Sequence, residues 1–272
     1  MLGDKFCHPH AVSLGMLTVF SHIALSHPPR KETSDADEPR RFCLFAALRL
    51  CQKCGLARQA IATAERYAPD LAALFHMVIH MRPNAKGLER LAFRHEGRPG
   101  VTRVSMAGDG KGLTVTARDV RKVDARAKGE TAFRETGLIY IHAKIGMSGG
   151  RLGLSLSAVS YSCLEVQRLV ERSDVDLQTA LLRQVDAEAH AVFRAWGVGA
   201  KIEEAEDEHY AAAVPGLWAG EHDRMAVDAE WGLDTTNAPT MLVFSAGTYL
   251  SEGEMRSTVW PRWKDDPTCQ MV

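Results

Sequence analysis

The chain predicts an α+β fold: a helical N-terminal region followed by a largely antiparallel sheet that carries two consecutive helices. Three observations predict it. Strong helix formers with apolar residues near helical spacing fill Phe42 to Tyr67. After Gly100 the apolar period drops to two, the spacing of a strand with one buried face. The alternating run Arg151 to Ser160 then leads into Ser162-Cys163-Leu164-Glu165, an S-x-x-E capping box, so a strand is delivered directly into a helix.

From the N-terminus, residues 1–26 hold scattered apolar groups and several histidines with no clear period. His27 to Arg41 is rich in proline and charge and nearly free of apolar residues, so burial cannot offset the entropy of ordering it. Residues 1–41 therefore read as a flexible segment and linker, and Ser13 to Leu25, which follows Asp4 and Lys5 rather than a basic cluster, is broken by Ser21 and His22 and lacks a clear small-residue cleavage site, does not read as a secretory signal. Residues 42–98 read as a helical hairpin region. Phe42, Phe45, Leu48 and Leu56 mark its first helix, and Pro69 ends that helix and opens a second through Leu71, Leu74, Phe75 and Val78. Pro83 stops the second, and the basic stretch Asn84 to Gly100 reads as a short helix and a loop.

Residues 99–272 read as the α+β domain. Val101–Met106 and Leu113–Ala117 are strands around the glycine-rich turn Gly108-Asp109-Gly110-Lys111-Gly112, and the charged stretch Arg118 to Glu135 reads as an excursion from the sheet. Leu138–Ile145 is apolar on both faces, as a central strand is. Gly149-Gly150 turns it into Arg151–Ser160. In the helix that Ser162 caps, Cys163, Val166, Leu169 and Val170 form the inward stripe. A second helix spans Asp176 to Ala195 with Leu177, Leu181, Val185 and Val192 inward, stopped by Gly197 and Gly199. Beyond it, Ala200–Glu204 reads as a strand, and Pro215–Ala219 with Arg224–Trp231 as a hairpin. Met241–Ala246 reads as a second central strand. Ser251 and Glu254 repeat the capping box and start a short helix that Pro261 ends.

Composition bounds the chemistry. A formal net charge of −1 over 272 residues gives no bulk attraction for nucleic acid or anionic membrane, so either would need a local patch. No run reaches the 18 or more apolar residues of a membrane span, and six irregularly spaced cysteines fit reduced thiols in a cytoplasm. Cys51-Gln52-Lys53-Cys54 lies in a helical pattern rather than in the turn a zinc knuckle needs, so no metal is expected there. The lysine of Gly108–Gly112 is followed by a strand rather than by the helix N-terminus a phosphate loop requires. No cofactor is expected. The acid-rich run Glu203 to Glu208, ending at His209, reads as a solvated loop.

Arg168 and Arg172 stand at i, i+4 on the capped helix, beside Glu165 and Leu164. Paired guanidinium groups suit phosphate or carboxylate recognition, and the alternative is an exposed face with an internal Glu165–Arg168 pair. This is the candidate site. The segment resembles the S-x-H-A-x-x-R strand-to-helix motif of colicin-D-like and RelE-like bacterial toxin domains. Ser162 and Arg168 match that motif, while Leu164 stands at its histidine and Glu165 at its alanine. A complete H-A-x-x-R recurs at His190 to Arg194. The resemblance covers about Leu138 to Met255 and implies a metal-independent RNase, with helices on one side of an antiparallel sheet, or a catalytically degraded relative. It further implies that Arg168 and Arg172 stabilise charge on the phosphate, that His190 or His209 moves the proton, and that Thr248 and Tyr249 on a late strand orient the phosphate, with Gly247 where a basic residue would stand. The partner would be RNA, bound through the local arginine patch. The other reading is a non-enzymatic interaction or scaffold protein whose helices at 42–80 dock a protein partner; neither reading involves a membrane.

Overall fold

The structure, a computed structural model, describes residues 38–127, 130–175, 179–204, 207–227 and 240–265. Contacts divide the chain into Met1–Ala47 and Leu48–Val272. Of the first unit, only the opening turns of α1 (Glu38–Arg66) lie among the described residues. That helix begins four residues before Phe42, inside the expected linker, whose remainder lies outside the described residues.

In the second unit α2 (Leu71–His80) and α3 (Ala85–His95) precede β1 (Val101–Met106), β2 (Gly112–Ala127), β3 (Glu130–Ser148) and β4 (Arg151–Tyr161). Next come α4 (Cys163–Arg172), α5 (Leu181–Gly197), β5 (Ile202–Glu204), β6 (Asp207–Ala211), β7 (Leu217–Ala226), β8 (Thr240–Leu250) and α6 (Trp260–Asp265). One eight-stranded sheet has the order β1-β2-β3-β4-β8-β7-β6-β5. Every neighbouring pair is antiparallel except β4–β8, which runs parallel over Ser157–Ser160 and Leu242–Ser245. The fold is α+β, as the sequence predicts. Among the described residues no helix is long and apolar enough to cross a membrane.

Strand alternation sorts most of the core into two clusters, one on each face of the sheet. Leu138 and Tyr140 of β3 face α4, α5 and the α1 residues Ala57, Ala60, Ile61 and Ala64. Ile139 and Ile141 face the opposite side, where Leu71, Leu74, Phe75 and Val78 of α2 and Leu88 and Leu91 of α3 pack. Each such buried Leu, Ile or Phe contributes about 1.5–3 kcal/mol. The helices of 42–98 thus share their cores with the sheet, and helices cover both of its faces, whereas the toxin-domain resemblance implied one. Local chemistry starts α2, α3 and α4. Asp70 accepts from Ala73 N at 2.9 Å, Asn84 accepts from Gly87 N at 2.6 Å, and Ser162 with Glu165 closes the expected capping box on α4.

Several expectations change. Arg118 to Glu135 is no excursion, because β2 and β3 stay paired from Gly112↔Gly146 to Ala127↔Glu130. Among its described side chains, partners meet the charges: Arg118 with Asp186, Asp119 with Arg121, and Lys122 Nζ with Thr136 Oγ1 at 3.0 Å. Pro215–Ala219 and Arg224–Trp231 are not two arms of a hairpin. Leu217–Ala226 is one strand with a bulge between Ala219 and Gly220, and 228–239 lies outside the described residues. Gly220 permits close approach of β8: a Cβ there would run into Ser245 O and meet the Phe244 ring at 2.8 Å. Of the acid-rich run expected as a loop, Glu203 and Glu204 lie on β5 and Asp207 and Glu208 on its antiparallel partner β6, with Lys201 Nζ 2.6 Å from Glu203 and 3.3 Å from Glu208; 205–206 lies outside the described residues. The second expected helix opens at Leu181 rather than Asp176, and 176–178 lies outside the described residues. Pro261 sits in the first turn of α6 instead of ending a helix, a position where its missing N–H costs nothing. The Ser251–Glu254 box starts only a single 3₁₀ turn, Glu252–Glu254.

Candidate functional site

Arg168 and Arg172 do meet the residues expected opposite them, but as a staple between α4 and β8. Arg168 Nη1 donates to Gly247 O at 3.0 Å. Arg172 Nη1 donates to Tyr249 O at 3.0 Å and to Thr248 Oγ1 at 3.2 Å, and its Nε lies 3.3 Å from Glu254. Both side chains are half-buried. Glu165, expected beside them on an open face, is fully buried; it accepts from Ser162 N at 2.6 Å, and burial pushes its carboxyl up to about 7. Tyr249 is buried and donates its hydroxyl to Pro215 O at 2.6 Å, away from the arginines. Neither histidine assigned to this face reaches it. His209 is buried on β6, its Nδ1 3.1 Å from Ile202 O, and His190 lies on α5.

A different set of residues converges around His190. On α5, Asp186, His190 and Arg194 fall at i, i+4 and i+8, a polar stripe on a helix whose other faces bury Leu182, Val185, Ala189 and Val192. Across from it lie β1, β2 and β3, whose register aligns Arg103 with Thr116 and Thr116 with His142. One strand step further, Ser105 pairs with Thr114 and Thr114 with Lys144. Because antiparallel partners share a face, all of these side chains stand on the α5 side of the sheet. Arg103, Ser105, Thr114, His142, His190 and Arg194 line one groove of about 510 Å³.

The two histidines are set differently. Thr116 Oγ1 and His142 Nδ1 share a hydrogen bond of 2.9 Å, and the His142 ring stacks on Phe193 with centroids 4.7 Å apart at 22°. That pins the ring and leaves Nε2 without a hydrogen-bond partner among the described residues. Burial, followed by Lys144, His190 and Arg103, lowers His142 to about 4. His190 is lowered too, by burial and then Arg103, while Asp186 one turn away opposes the shift and Arg194 adds to it. Asp186 is itself fixed: both its oxygens accept from Arg118 Nη1, at 2.5 and 2.7 Å, and Tyr140 OH donates to it at 2.8 Å. The groove therefore gathers two imidazoles among three cationic side chains, an arrangement that can bind an anion and move protons beside it.

Among the described residues no three His, Cys, Asp or Glu side chains group as metal ligands. Cys54 and Cys163 are free, half-buried thiols, and burial, Glu135 and Cys54 push Cys163 up to about 11. The side chains of Cys7, Cys43, Cys51 and Cys269 lie outside the described residues. Sequence reasoning found His190 with Arg194 in an H-A-x-x-R motif but missed Arg103, His142 and Lys144 as their company. One signal was present: the i, i+4, i+8 stripe on α5. No protein-family model, curated protein or solved structure matches this chain.

Proposed function

We propose that this chain is a metal-independent, toxin-like ribonuclease that takes single-stranded RNA in the groove between α5 and β1–β3. The observation that carries the reading is the pairing of His142 and His190 in one groove with Arg103 and Arg194. RNA carries its own nucleophile, the 2′-hydroxyl, so a base, an acid and a cation for the phosphate form a sufficient set. A single strand is the preferred form because cleavage needs the 2′-oxygen in line with the leaving oxygen, which a rigid A-form duplex opposes. With a net charge of −1, attraction for RNA must be local, and Arg103, Lys144 and Arg194 supply it.

The test uses a 5′-labelled single-stranded RNA in buffer containing EDTA, with product ends analysed for 2′,3′-cyclic phosphate. The unaltered protein should cleave it, and His142→Ala or His190→Ala should each lower the rate by about 10²–10⁴-fold. Binding without cleavage would identify the catalytically degraded relative. Absence of both binding and cleavage would refute the reading. The second reading, a non-enzymatic protein-interaction module using the helical region, has one observation behind it: Ile79 of α2 is 57% exposed and Phe93 of α3 83% exposed.

A further inference from the structure

We propose that the α2–α3 face is a second nucleic-acid surface, on which single-stranded RNA lies along α3 with its phosphates on Lys86, Arg90, Arg94 and Arg98. This goes beyond the groove and does not require the groove to cleave RNA: the surface is on the other side of the sheet, where α2 and α3 pack.

Helix geometry places the cations in a row. Lys86, Arg90 and Arg94 fall at i, i+4 and i+8 on α3, each about 6 Å further along the axis. Arg98 extends the row past the helix end: its backbone N donates to His95 O at 3.2 Å and its Nε to Arg94 O at 3.1 Å, as Arg90 Nε donates to Lys86 O at 3.3 Å. Those bonds use Nε, so the Nη groups of Arg90 and Arg98 and the whole guanidinium of Arg94 have no hydrogen-bond partner among the described residues. All four cations are exposed, and among the described residues no ion pair engages any of them.

Beside the row, the seam between α2 and α3 opens into two adjoining hollows of about 360 and 270 Å³ that share Met77 and Arg94. The larger is bordered by Arg90 and by the exposed rings of His76 and His80, whose centroids lie 4.3 Å apart. The smaller is bordered by Arg98 and by buried His95, whose Nε2 has no hydrogen-bond partner among the described residues. Glu89 and Glu96 line neither hollow, and the one carboxylate that does, Asp70, accepts from Ala73 N at 2.9 Å. Phe93, next to Arg94 in the chain, is exposed as well. Free guanidinium groups beside open rings suit a polyanion that also carries flat, unpaired bases, and a single-stranded nucleic acid is that polyanion. A bilayer fits less well, because α2 and α3 bury their apolar faces against the sheet and leave it only Ile79 and Phe93. The row also leads toward the groove: Val101 on the edge strand β1 borders the smaller hollow, and Arg103, two residues on, lines the groove.

The test is fluorescence anisotropy of the full chain with a labelled 2′-O-methyl oligouridylate about 10 nucleotides long, whose blocked 2′-oxygen prevents cleavage. Arg90→Ala/Arg94→Ala should lower affinity about tenfold or more at low salt and, at about 0.7 per phosphate contact, flatten the slope of log affinity against log salt by about 1.4. Arg90→Lys/Arg94→Lys should keep the slope. Phe93→Ala should lower affinity about fivefold or more and leave the slope unchanged. Melting temperatures should stay within a degree or two of the parent, because these side chains are exposed. The groove variant Arg103→Ala/Arg194→Ala should still bind the oligomer, and adding Arg90→Ala/Arg94→Ala to it should remove about tenfold or more of what remains. A groove variant that binds nothing, or α3 variants with unchanged affinity and slope, would overturn this surface and leave the groove reading standing. Polyglutamate, or vesicles of phosphatidylcholine and phosphatidylserine, competing as well per charge as unlabelled RNA would assign the face to an acidic protein or a membrane and overturn it too. Loss of cleavage with the α3 dependence intact would remove the ribonuclease reading and leave this one.

Discussion

Glu188 is the side chain whose removal should cost this fold most. It lies on α5, fully buried, and both oxygens are used: Oε2 accepts from Ala213 N at 2.8 Å and from Trp218 Nε1 at 2.9 Å, and Oε1 accepts from Val214 N at 3.1 Å. Through it α5 holds the segment that joins β6 to β7. Glu188→Ala would leave two backbone N–H groups and one indole N–H buried without acceptors, each worth about 1–3 kcal/mol. Relaxation and water entry make these losses less than additive, so the total should be about 3–5 kcal/mol, a large share of a typical domain's 5–15 kcal/mol. Urea unfolding followed by tryptophan fluorescence and circular dichroism measures it. The midpoint should fall by about 1–2 M with little change in slope. Glu188→Gln can keep its oxygen at the Oε2 position and lose only the Val214 bond, so it should cost about 1–3 kcal/mol. A loss below about 1 kcal/mol for the alanine variant, or equal losses for both variants, would refute the reasoning.

The arginine staple makes a contrasting prediction. Arg172→Ala breaks contacts to Thr248, Tyr249 O and Glu254, and should destabilise by about 1–3 kcal/mol while leaving RNA affinity of the folded protein unchanged; an affinity loss without a stability loss would count against the staple. Stability should also carry a pH signature. Burial raises folded Glu188 from 4.5 to about 7, so between those values the folded chain holds a proton that the unfolded chain has lost. Its stabilising effect is complete below about pH 4.5 and is lost as pH rises through about 7, and buried Glu165 has the same sign and window. His95, His142 and His190, all lowered, act in the opposite sense below 6.5, so the informative comparison is parent against Glu188→Gln. The substitution should cost about 2–3 kcal/mol more at pH 5 than at pH 8, and a cost that is equal at both, or larger at pH 8, would contradict the assignment.

Reading the chain alone determined the elements whose signals are local. The capping box at Ser162 and Glu165 and the inward residues Leu71, Leu74, Phe75 and Val78 obey rules of three or four neighbouring positions, and the structure has them where those rules put them. The strand periods of β3 and β4 were legible for the same reason. Arg118 to Glu135 was not, because a charged residue reads as exposed unless its partner is known, and the partner of Arg118 is Asp186, 68 positions away on α5. Glu165 shows the converse: a residue that local spacing placed on an open helix face is fully buried, turned back to accept from Ser162 N. The groove belongs wholly to tertiary structure. Arg103, Thr116 and His142 lie on three strands and meet only through register, and His190 joins them only because α5 crosses that face of the sheet. A one-residue slip in either pairing would turn these side chains to the opposite face, and no short-range pattern in the sequence records which of the two registers has the lower free energy.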